Sequence, residues 1–175
     1  NLVLRVAVAA AEYGLPIAPG TLRNLKKCPI GDRNWTDESR ELFIRLLASG
    51  PALLNVWEDI DFIDVPGKLI PEWLGVRNRP SASAAHRYTI DRHMVEVVTR
   101  LGRETPSGGR YDDRHYEALL LAGILHDIGK RPGVANHAAE GARHATVVVE
   151  RMGFDRDIVR WVTLLVLSLI HISEP

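Results

Sequence analysis

The chain reads as all-α, a fold class predicted by three observations. Apolar residues recur at helical spacing in almost every segment, and helix caps and stops punctuate the stretches between them. No alternating strand pattern is joined to a hairpin turn. Val147-Val148-Val149 and Val162-Thr163 favour strand by residue type, but they lie inside longer helical patterns that outweigh that preference. With 46% hydrophobic residues in 175, the chain can bury a core of useful size.

The elements follow in order. Leu2 to Glu12 forms a first helix that stops at Gly14, with Pro16 and Pro19 beyond it. Thr36 caps a second helix, whose first turn holds Asp37 and Glu38 where the helix dipole favours them. Its stripe of Leu42, Phe43, Leu46 and Leu47 faces inward, and Gly50-Pro51 closes it. Pro51 suits the first position of the next helix, which carries Leu53, Leu54, Val56 and Trp57. Lys68 to Gly75 is a short helix, and Val76 to Ser83 is a connecting loop. Thr89 or Asp91 caps a helix with Met94, Val97, Val98 and Leu101 on its apolar face, ending at Gly102. Asp112 or Asp113 opens another that runs to Gly129. Asn136 caps a helix from His137 to Arg151, and a last helix starts at Arg156.

Composition narrows the function classes. Acids and bases balance at 22 each, so the chain lacks the basic footprint of a nucleic-acid binder. The single cysteine, Cys28, excludes an internal disulfide and a cysteine-based zinc site, and it suits a reducing, cytoplasmic setting. Leu2 to Ala11 is interrupted by Arg5 and is too short to span a bilayer, so no membrane association is expected. The chain opens Asn-Leu-Val without an initiator Met and reads as a fragment. Residues 167–175 resemble a translated cloning tail, so His171 carries no functional weight.

The chemistry concentrates at Leu125-His126-Asp127-Ile128-Gly129-Lys130, at the end of an apolar helical run, with His93 on an earlier helix. Imidazole and carboxylate together suit a divalent ion, Mn²⁺ or Mg²⁺ ahead of Fe or Zn²⁺. Successive helical residues point about 100° apart, so His126 and Asp127 converge on one ion only near a helix end. The plainer reading makes Asp127 and Lys130 a surface pair and His126 a core histidine. An ionised Asp after so apolar a run must nevertheless be partnered if buried. His137 opens a helix, with Gly141 one turn later to admit a neighbouring element. His115 and His144 read as surface residues.

These residues carry a resemblance. His93, then His126-Asp127-Ile-Gly-Lys130, then His137-x-x-x-Gly141-Ala142, resembles the HD superfamily of metal-dependent phosphohydrolases. Leu69-Ile-Pro-Glu-Trp73, Val76-Arg77-x-Arg79-Pro80 and His86-Arg-Tyr-Thr-Ile-Asp-Arg-His93 are more specific. They resemble the central region of the bifunctional PII uridylyltransferase/uridylyl-removing enzymes, in an actinobacterial-type form. The resemblance covers the chain to about Val166. It implies a helical linker over residues 1–80 and a C-terminally truncated HD domain over 81–166.

The resemblance also implies roles. His93, His126 and Asp127 would hold the metal. Asp127, Lys130 and His137 would serve catalysis, and His86 and Arg87 would meet the nucleotide. The reaction implied is hydrolysis of a nucleotidyl-tyrosine phosphodiester on the signalling protein PII, releasing UMP or AMP. Two departures stand out: the family has Asp-His-Ser where this chain has Asn136-His137-Ala138, and a final Asp ligand is expected beyond Val166, where Leu167-Ser-Leu-Ile stands. The fragment alone is therefore expected to be weak or inactive. The alternatives are an HD hydrolase of free nucleotides or alarmones, and a non-catalytic connector that binds metal or nucleotide.

Overall fold

In the computed structural model, which describes residues 1–29, 35–80, 88–103 and 113–173, the regular structure is helical. Side chains at 103, 113 and 169–173 are outside that description. The elements are α1 (Leu2–Tyr13), α2 (Pro19–Leu25), α3 (Asp37–Leu47), α4 (Ala52–Phe62), α5 (Val65–Leu69), a 3₁₀ turn (Pro71–Gly75), α6 (Ile90–Arg103), α7 (Asp113–Leu125), α8 (His137–Arg151) and α9 (Arg156–Ser173). Among the described residues the only β pairing is an isolated bridge between Pro80 and Thr89. The all-α expectation holds.

Local chemistry explains most boundaries. Gly14 adopts the left-handed conformation at φ 63°, ending α1 with backbone bonds to Ala10 and Ala11. The Thr36 hydroxyl accepts the Ser39 N–H at the start of α3, and the Asn136 side chain accepts the Ala139 N–H at the start of α8. Two expectations need correction. Lys68–Gly75 is two elements: Pro66 opens α5 and Pro71 opens a separate 3₁₀ turn, because Pro71 cannot donate the bond that would continue α5. α7 ends at Leu125, four residues before Gly129, so His126 and Asp127 sit in the turn that follows it. Pro19–Leu25, to which the sequence reading assigned no element, folds as α2 with Pro19 at its first position.

The helices bury one continuous apolar core. α1 packs on α3 and α4, α4 reaches α6, α6 lies against α7, and α9 covers α7 and α8. Gly123 lets α6 and α7 approach closely, since a Cβ there would stand 2.8 Å from Leu101 Cδ1 and 3.1 Å from Val98 Cγ2. That close approach brings His93 on α6 beside the end of α7. No described helix is long and apolar enough to cross a membrane.

Candidate metal centre

His93, His126 and Asp127 converge, with one potential ligand atom from each lying within 4.8 Å of the others. His93 comes from α6, and the other two from the turn after α7, where the chain leaves helical geometry. This is the helix-end arrangement that adjacent donors need. The His93 and His126 rings meet edge to face at 5.2 Å between centroids. His126 and Asp127 are only 5% and 4% exposed, so the carboxylate is a buried charge that requires partners.

The partners are present. Nδ1–H of His126 donates to the Gly123 carbonyl at 2.8 Å. A carbonyl can only accept, so this bond fixes the tautomer and leaves Nε2 as the imidazole's lone-pair donor. His126 Nε2 lies 3.5 Å from Asp127 Oδ2, and Lys130 Nζ lies 3.1 Å from the same oxygen. The donor set fits a divalent ion: two imidazoles and a carboxylate, one ring oriented from behind by a backbone carbonyl.

Gly129 then seats the turn against α8. A Cβ there would lie 2.4 Å from both the Gly141 nitrogen and the His137 carbonyl oxygen. The expected close approach at Gly141 is thus made by the backbone of Gly129. His137 sits at the start of α8 with Nδ1 3.4 Å from the Gly129 carbonyl.

Sequence relatives give this geometry a context. The chain is 39% identical over 157 residues to a bifunctional uridylyltransferase/uridylyl-removing enzyme of Streptomyces coelicolor, covering 88% of this chain and 18% of that protein. It is 36% identical over 167 residues to the enzyme of the same name from Mycobacterium tuberculosis H37Rv, covering 95% and 20%. The Corynebacterium glutamicum enzyme is 32% identical over 157 residues, covering 88% and 21%. Over most of its length, the chain is homologous to bifunctional uridylyltransferase/uridylyl-removing enzymes. It spans about a fifth of the length of these curated relatives. No protein-family model matches it, and no solved structure does.

The other residues singled out in this uridylyl-removing-enzyme homologue fall in three places. Lys130 is at the centre, paired to Asp127. His137 adjoins it through Gly129. His86 and Arg87 lie outside the described residues. His115 is exposed and stacks on Trp161 at 4.1 Å, as a surface residue can.

His144 is a correction. It is 9% exposed and bonds Glu140 Oε1 through Nε2 at 2.8 Å. Its place beside Gly141, Ala145 and Val148 on the buried face of α8 is visible in the helical spacing and marks it as inward-facing. Burial, together with the charges of Arg131 and Arg143, holds its pKa below the usual histidine value, outweighing the pull of Glu140 and Glu72.

Proposed function

We propose that this chain carries the nucleotide-removing site of a larger enzyme, hydrolysing a nucleotidyl-tyrosine phosphodiester on a PII-type signalling protein. The convergence of His93, His126 and Asp127 is the observation that carries the reading. The relatives, named for uridylyl removal, favour UMP over AMP as the released nucleotide. In this reading residues 1–80 form the helical lead-in and 81–166 the hydrolytic domain.

Hydrolysis places a water oxygen on phosphorus and breaks the bond from phosphorus to the tyrosine oxygen. The products are a free phenol and a nucleoside monophosphate. A divalent ion held by His93, His126 and Asp127 would supply an acidified water and positive charge beside a phosphoryl oxygen. The chain's own residues do the positioning. Gly123 orients the His126 ring, and Lys130 holds Asp127 or turns its charge toward the phosphate. His137 is assigned phosphate contact or protonation of the leaving phenolate, and His86 and Arg87 are assigned to the nucleotide.

The test uses this segment set into the full-length Streptomyces coelicolor relative. His126→Ala with Asp127→Ala should abolish nucleotide removal and leave attachment at the parent rate. Loss of both activities, or of neither, contradicts the assignment. A parallel assay with free nucleotides identifies the other hydrolase reading if they are turned over in place of PII.

A further inference from the structure

Pro71-Glu72-Trp73 closes the Leu69-Ile-Pro-Glu-Trp73 stretch that shares in the family resemblance, and the turn it opens runs on to Gly75, yet none of it belongs to the metal-binding set. Its surroundings show what it does. The Glu72 carboxylate is gripped at both oxygens by Arg151, the last residue of α8, at 2.8 and 2.6 Å. Burial alone would push that carboxyl up, but the Arg151 bond and its own backbone N–H outweigh this and hold it below the ordinary range. The Glu72 carbonyl accepts from Arg131 Nη2 at 2.7 Å. Arg131 Nε in turn donates to the Ile128 carbonyl at 3.3 Å, inside the turn that carries His126 and Asp127.

Gly75 completes the seat. A Cβ on it would stand 2.5 Å from Arg131 Nε, 2.6 Å from Cζ and 3.0 Å from Nη2, so the guanidinium lies flat against the bare backbone. The turn is therefore held on two sides. The first turn of α8 meets Gly129, and the 3₁₀ turn reaches Ile128 through Arg131.

We propose that the Pro71–Gly75 turn is a strut for the metal-binding turn, with Glu72 and Gly75 seating Arg131 as a positioning residue. The planar fork of arginine is what spans two carbonyls at once, and lysine cannot reproduce it. The proposal deepens the metal-site reading and rests on it for its catalytic meaning, but its geometry can be tested without an ion. The amides of Ile128 and Lys130 close the turn by donating to Leu125 and Asp127, each at 3.0 Å. Their hydrogen exchange reports its opening.

The experiment measures amide exchange and Mn²⁺ affinity on the chain and on Arg131→Gln, Arg131→Lys and Gly75→Ala. Exchange at Ile128 and Lys130 should accelerate about tenfold in all three, while the amides of α1 keep the parent rate. Mn²⁺ affinity should fall about tenfold, the size usual when a group supporting a ligand is lost. Unchanged exchange at those two amides, or acceleration spread evenly over the chain, overturns the strut. If His126→Ala leaves Mn²⁺ binding unchanged while the exchange result stands, the metal reading fails and the strut survives.

Discussion

Asp127 carries a large electrostatic cost at the centre, because its carboxylate is almost wholly buried and draws its compensation from Lys130. Asp127→Asn keeps the shape but removes the charge. Mn²⁺ titration should show affinity reduced at least tenfold, with the fold retained by circular dichroism. Two glycines nearby separate crowding from strain. Gly129→Ala drives a methyl into the backbone of α8 and should cost about 2–3 kcal/mol in urea denaturation. Gly133→Ala meets open space but must hold φ at +78°, which should cost about 1 kcal/mol. Equal losses at the two positions would contradict the packing described for the turn. His126, Asp127 and His93 were legible because their donor chemistry is local and their placement follows a helix end. Glu72, Arg131 and Arg151 were not: their bonds join residues 59 and 79 positions apart, and no periodicity encodes that.

The interface of α6 with α7 sets the site, because each contributes part of the donor set across it. Gly123→Leu would push Leu101 and Val98 away and separate His93 from His126. Metal affinity should fall more steeply than stability, as read by titration alongside thermal unfolding. On α8, His144 and Glu140 give opposite charges with a common pH sense. The folded His144 pKa lies below its unfolded value of about 6.5, so its contribution is intact above that value and is lost as pH falls through it. Glu140 is lowered to about 2, chiefly by its bond to Arg143, so its contribution is present above 4.5 and fades toward pH 2. His144→Gln should flatten the decline in urea midpoint between pH 7 and 5, and Glu140→Gln should flatten only the limb below 4.5. The helices with a strong single-residue signal, Gly14 after α1, Thr36 before α3 and Asn136 before α8, were legible in the sequence. α2 was not, since a seven-residue helix opened by Pro19 is too short to show a period against its Pro- and Gly-rich surroundings.

The whole molecule is a helical assembly in which one continuous core reaches from α1 to α9, and a half-buried His93 meets the buried His126 and Asp127 beside it. All-α architecture was predictable because helical spacing recurs throughout, and that signal does not depend on long-range contacts. How the elements meet was less so: the unwinding at Leu125 that frees His126 and Asp127 is a tertiary event, enforced by Gly129 against α8 and Arg131 against the 3₁₀ turn. This convergence is proposed as a metal centre. Calorimetric titration of the chain with Mn²⁺ tests it most directly, beside His93→Ala, His126→Ala and Asp127→Asn. Saturable binding is expected in the parent, with its loss in each variant. Binding of equal strength in the parent and all three variants, or none in the parent, would contradict it.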